Sequence, residues 1–157
     1  MKEINGFVFS DDLTVISEYK GQQKNIIIPK GVKRIDDYVF MDKDITSVVF
    51  NEELEIIGNR AFQGTNIKEI ILPKSVDSVG FCAFNCCYKL KKVTIKNPVI
   101  SMYTDSFDHC YDLEDIYFDG DEDEWLKTVY YDDDDIALLL DVHATIHLKD
   151  GSVIKYK

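Results

Sequence analysis

Two stretches of the chain, IPKGVKRIDDYVF from Ile28 and LPKSVDSVGFCAF from Leu72, are near copies of each other. Aligned on their final phenylalanine, they belong to a longer series, Phe40, Phe62, Phe84 and Phe107, with intervals of 22, 22 and 23 residues. No other feature constrains the fold as much, because a unit of about 22 residues cannot close a core by itself and must bury its apolar side against the next copy. Before each phenylalanine stands an apolar pair three residues apart: Val32 and Ile35, Leu54 and Ile57, Val76 and Val79, Val99 and Met102. The residue just ahead of each phenylalanine is small or β-branched (Val39, Ala61, Ala83, Ser106), as a tight corner requires.

After each phenylalanine comes a strand-like run: ITSVVF from Ile45, IKEIIL from Ile67, LKKVTI from Leu90 and LEDIYF from Leu113. Their first, fourth and sixth residues are apolar, and the fourth and sixth alternate with outward-facing residues as in a half-buried strand. Stacking such units predicts a right-handed α/β-type repeat solenoid. Its strands pair as a parallel sheet at about 4.8 Å spacing, and its phenylalanines stack along the interior. The residues that carry the pattern, Leu54, Ile57, Gly58, Ala61, Phe62, Ile67, Ile70 and Leu72, resemble the BspA-like class of bacterial leucine-rich repeats. The resemblance covers residues 25 to about 118. It departs from the family where Asp36 and Tyr103 replace Gly58 and Gly80, and where the fourth copy reads SMYTDSF. It implies that relatives are often bacterial surface proteins that contact host molecules or other cells.

The reading predicts one leucine-rich-repeat domain over 1–157: an N-terminal cap at 1–24, repeats at 25–118 and a C-terminal cap at 119–157. In the first cap, FVFSDDLTVISEY reads as a hairpin, and Asn25–Ile28 supplies the first strand of the sheet. In the second, Asp150-Gly151 sits between alternating apolar residues and marks another hairpin. Between the last repeat and that hairpin, acids ahead of apolar runs predict two short helices, with Trp125 as a packing anchor.

Charge narrows the function. Eighteen basic residues against 29 acidic ones give a net charge of −11, which disfavours nucleic acid and anionic membrane surfaces. The N-terminal stretch reads as neither a secretory signal nor a membrane span, so the sequence as it stands predicts a cytoplasmic protein, or a cell-surface one if it is a processed fragment. Cys82, Cys86, Cys87 and Cys110 lack paired zinc-site spacing. Cys87 and Cys110 fall at equivalent repeat positions and read as buried thiols. Asp119, Asp121 and Asp123 open like a calcium loop, but Glu124 and Tyr130 stand where such a loop needs glycine and glutamate. A Cys110 nucleophile with His143 or His147 requires the cap to fold back over the fourth coil. His147, between Ile146 and Leu148, reads instead as facing solvent. The sequence therefore predicts no catalysis, no cofactor and no metal.

The outward residues of successive strands form a ladder, Ile27, Val49, Ile71, Thr94 and Tyr117, flanked by a polar row, Ser47, Glu69, Lys92 and Asp115. A contiguous exposed apolar stripe beside charge is the composition of an interaction surface, so these residues are the candidate site for a protein or peptide partner, with the chain itself expected to be a monomer. Two rival readings stand beside this one: a metal-binding protein or enzyme centred on the cysteines and acids, and a self-associating structural element.

Overall fold

The computed structural model describes residues 1–130 and 144–155. The chain opens with three antiparallel strands, β1 (Lys2–Ile4), β2 (Phe7–Phe9) and β3 (Val15–Tyr19). The β2–β3 hairpin is the one the sequence predicts; β1 leaves no trace in the sequence pattern, because its residues are all exposed and do not alternate.

Each coil then contributes two strands. The longer ones are β4 (Asn25–Ile27), β6 (Ser47–Val49), β8 (Glu69–Leu72), β10 (Lys92–Ile95) and β12 (Asp115–Phe118). They pair in parallel with the expected offset, Ile26 opposite Val48 and Ile70 opposite Val93 opposite Ile116. The shorter ones, β5 (Arg34–Ile35), β7 (Ile56–Ile57), β9 (Ser78–Val79) and β11 (Ser101–Tyr103), build a second parallel sheet that sequence reading had not foreseen. Two-residue strands are too short to show a period of two. β3 joins this second sheet at one end and β13 (Val129–Tyr130) at the other, making eight strands with β1 and β2.

The interior lies between the sheets. Ile35, Ile57, Val79 and Met102 enter it from one side, and Ile70, Val93 and Ile116 from the other. The phenylalanines close the third side. Phe40 and Phe62 stack at 4.8 Å, Phe62 and Phe84 at 5.3 Å, and Phe84 and Phe107 at 5.6 Å, all within 15° of parallel. Their backbones repeat the translation: Phe40 N–H donates to Ala61 C=O, Phe62 to Ala83 and Phe84 to Ser106, each at 2.8 Å. Coils approach closely beside these bonds. A Cβ on Gly80 would sit 2.7 Å from the Asn59 nitrogen, so glycine there is a demand of packing.

The fourth coil departs from its neighbours. Tyr103 occupies the glycine position, and the open turn of earlier coils becomes a 3₁₀ turn over Thr104–Phe107. Its upstream corner also starts one residue late. Ile100 N–H bonds to Asn97 C=O, where Val76 N–H bonds to Pro73 C=O in the coil before. Ile100 is therefore the buried partner of Met102, and the expected Val99 is 77% exposed, a correction that follows from Pro98 pushing the turn forward.

Helix α1 (Glu122–Thr128) follows β12. Asp121 and Glu124 cap it reciprocally: Glu124 N–H donates to Asp121 Oδ1 at 2.8 Å, and Asp121 N–H to Glu124 Oε2 at 2.9 Å. Trp125 is buried edge-on against Phe118 at 5.2 Å, as anticipated. The second expected helix lies outside the described residues. β14 (Thr145–His147) and β15 (Val153–Lys155) form the closing hairpin and extend the first sheet past β12.

Candidate recognition face

Strand pairing sets the candidate residues side by side. Ile27 lies opposite Val49, and Ile71 opposite Thr94 opposite Tyr117. Alternation turns them outward: Ile27 is 70% exposed, Val49 59%, Ile71 47% and Tyr117 39%, with Thr94 half-buried between larger neighbours. Ser47, Glu69, Lys92 and Asp115 share the same face two residues earlier.

The face differs from a continuous ladder at one place. β6 and β8 do not pair, so the first sheet divides into β4–β6 and β8–β10–β12–β14–β15. Corner bonds of the type Lys91 N–H to Lys68 C=O and Glu114 N–H to Lys91 C=O recur along the series, and the Lys68-to-Thr46 member is absent. A cleft of about 390 Å³ opens there, with Val49 and Ile71 on its walls. At the break the column of inward residues carries Phe50, where the coils on either side have Ile28 and Leu72. Its ring fits edge-on to Phe62 at 5.7 Å and takes more room than an aliphatic side chain.

At the other end the face is longer than the sequence reading made it. His147 pairs in register with Tyr117, and the two rings stack at 4.4 Å and 8°. Its partner on the closing strand, Val153, is also exposed. The signal was available: TIH of β14 has the same alternation as DIY of β12. The polar row is internally connected. Lys92 Nζ lies 3.2 Å from Glu69 Oε1 and 5.1 Å from the Tyr117 ring centroid, and His147 Nε2 lies 2.6 Å from Asp115 Oδ1. Glu69, Lys92 and Asp115 therefore brace the aromatic end of the stripe, each partly exposed.

The chemistry-bearing residues of the rival readings are placed elsewhere. Cys87 and Cys110 stack in the core as one column with Thr65: Cys87 Sγ is 3.3 Å from Thr65 Oγ1 and bonds to Phe62 C=O, and Cys110 Sγ bonds to Phe84 C=O at 3.1 Å. The neighbouring Cys87 thiol and burial push the Cys110 thiol far above its usual range. Burial likewise raises Cys82. His147 faces Asp115 and Tyr117 on the outer surface, so it is not paired with Cys110, and His143 lies outside the described residues. Of the acids, Asp121 caps α1 and Asp119 meets Lys149 at 3.4 Å. Among the described residues no cluster of three or more His, Cys, Asp or Glu is arranged to hold a metal ion, and no helix is long and apolar enough to cross a membrane.

Coils of 22 to 23 residues, two strands each, stacked on a continuous phenylalanine column define a leucine-rich-repeat β-solenoid of about four turns. The BspA type leucine rich repeat region matches residues 16–136 in six copies, and the chain belongs to that family. A leucine-rich repeat protein from Bacteroides ovatus is 27% identical, with a TM-score of 0.59, over 64% of this chain and 27% of its own. One from Eubacterium ventriosum is 17% identical with a TM-score of 0.72, over 92% of this chain and 40% of its own. A leucine rich cell surface protein from Faecalibacterium prausnitzii is 24% identical with a TM-score of 0.63, over 92% and 41%. The chain thus spans about two fifths or less of these solved chains. Comparison with curated proteins finds no match.

Proposed function

We propose that the chain is a non-catalytic recognition module that binds a protein or peptide partner across the outer face of the first sheet. The carrying observation is the row of exposed apolar side chains from Ile27 through Val49 and Ile71 to Tyr117, held on paired strands with little freedom left to lose on binding. Glu69, Lys92 and Asp115 set register along one flank, and Ser47 continues that row with an uncharged hydroxyl toward β4. Shape-matched burial of this stripe accounts for affinity. The charges contribute mainly to orientation and encounter rate. Membership in the family and the cell surface protein among its structural neighbours support a binding or adhesive role at a bacterial surface.

The test is a comparison of the intact chain with a Val49→Asp, Ile71→Glu, Tyr117→Asp variant. Partners retained from a cell extract by the first are identified and then measured by calorimetry against both. The proposal expects binding to be lost in the variant while its circular dichroism is unchanged. Equal affinity for both proteins removes the face from consideration. Sedimentation of the Ile71→Glu variant addresses self-assembly: a wild type that associates, and a variant that does not, would assign the face to copies of the chain.

A further inference from the structure

The first coil leaves a strand edge open beside an apolar groove. β4 bonds to β6 through alternate residues: Lys24 C=O accepts from Thr46 N–H at 2.7 Å, and Ile28 N–H donates to Val49 C=O at 2.9 Å. In a parallel pair the intervening residues point their main-chain groups the other way, which turns the N–H and C=O of Asn25 and Ile27 outward. Among the described residues these four groups have no partner. The cap does not cover them, because β3 docks on β5 in the second sheet and the chain then crosses to β4 through Gly21–Lys24.

The space left beside β4 is a groove of about 590 Å³, walled by Ile4, Phe7, Phe9, Leu13 and Val32, with Lys30 at the end toward which β4 runs. Lys30 is exposed, and among the described residues its ammonium has no ion-pair partner. Unpaired main-chain donors and acceptors call for another extended main chain, apolar walls on one side of it call for alternating apolar side chains, and a free cation at the far end calls for a carboxylate.

We infer that β4 is a strand-addition site for a foreign extended peptide segment, running parallel to β4, with two apolar residues in alternation followed by an acidic residue. This site is separate from the outer face of the sheet, sharing only Ile27 with it.

The probe is acetyl-Thr-Ile-Thr-Ile-Glu-amide titrated into the ¹⁵N-labelled full chain, with acetyl-Ile-Ile-Thr-Thr-Glu-amide as the control of equal composition. The expected result is saturable movement of the Asn25 and Ile27 amide signals with the first peptide and far weaker movement with the second. Ile27→Pro removes an outward N–H without touching the β6 ladder and should weaken binding about tenfold, the worth of one hydrogen bond, while Ile27→Thr keeps it. Lys30→Glu, a surface change that leaves the fold alone, should weaken it about fivefold by replacing attraction with repulsion. The Val49, Ile71, Tyr117 variant should bind the probe as the wild type does, so failure of the sheet face and failure of this edge are told apart. Equal responses to the two peptides, no movement of the two amides, or indifference to both Ile27→Pro and Lys30→Glu overturns the inference. Movement with protein concentration alone overturns it in favour of a second copy.

Discussion

Replacing Phe62 by leucine separates stacking from burial. Phe62 has a parallel ring on each side, Phe40 at 4.8 Å and Phe84 at 5.3 Å, and an edge contact from Phe50 at 5.7 Å. Phe107, at the last position of the column, has one aromatic neighbour among the described residues, Phe84 at 5.6 Å. Leucine keeps most of the apolar area in both places but no ring. At about 0.5–1.5 kcal/mol per aromatic contact beyond area, Phe62→Leu should cost roughly 3 kcal/mol and Phe107→Leu roughly 1 kcal/mol. Urea unfolding gives both numbers at constant m, followed by far-ultraviolet circular dichroism for the sheets and by Trp125 fluorescence for the end of the stack. A difference of about 2 kcal/mol in the expected direction supports a continuous column. Equal costs, or a larger cost at Phe107, would refute the reasoning, since a residue with three ring neighbours cannot then matter more than one with a single neighbour.

Gly80→Ala should destabilise more than Gly31→Ala. The first drives a Cβ to 2.7 Å from backbone in the coil below, while the second meets only Glu53 Oε2 at an ordinary 4.0 Å and bears the cost of its φ of +87°, about 1 kcal/mol. Thermal melts of the two variants decide it, and a larger shift for Gly31→Ala contradicts the close coil spacing. Under native conditions a thiol reagent should modify half-buried Cys86 first and Cys82 slowly, and should reach Cys87 and Cys110 only on unfolding; rapid reaction of Cys110 would place it outside the core. Asp12 accepts bonds from the Ser10 hydroxyl and from the Thr14 N–H and hydroxyl, which lower its carboxyl from 3.8 to about 2. A depressed folded-state value means that this contribution is fully present above the unfolded value and is lost as pH falls toward 2. Stability of the wild type should therefore drop more steeply than that of Asp12→Asn between about pH 4 and pH 2. Parallel pH profiles would show that the turn is not held by the carboxylate.

Much of the architecture was legible because the repeat acts on every coil at once. The phenylalanine spacing, the alternation in EIIL and KVTI, and the Asp150-Gly151 turn each answer to a short-range rule, and the structure obeys all three. What escaped was shorter or less local. The second sheet rests on pairs such as Ile56-Ile57, and its existence depends on backbone bonds to the next coil. The break between β6 and β8, where the inward column carries Phe50, has no counterpart in the repeat pattern. Two asparagines also close corners in a way that their letters do not reveal: Asn51 Nδ2 donates to Pro29 C=O at 2.6 Å and Asn97 Nδ2 to Val76 C=O at 2.9 Å, each reaching back to the coil before. For the candidate face, the register of the strands was readable and so was the alternation of TIH in β14; the pairing of β14 with β12, which stacks His147 on Tyr117, was not, since it joins residues 30 apart.

Cross-strand proton contacts measured by nuclear Overhauser spectroscopy test the stacking of coils most directly. The account predicts two columns of contacts at offsets of 22 or 23 residues, Ile35 to Ile57 to Val79 to Met102 on one side and Ile70 to Val93 to Ile116 on the other, with the series interrupted between Val48 and Ile70. Contacts that follow any other offset, or an antiparallel pattern within the repeats, would contradict it.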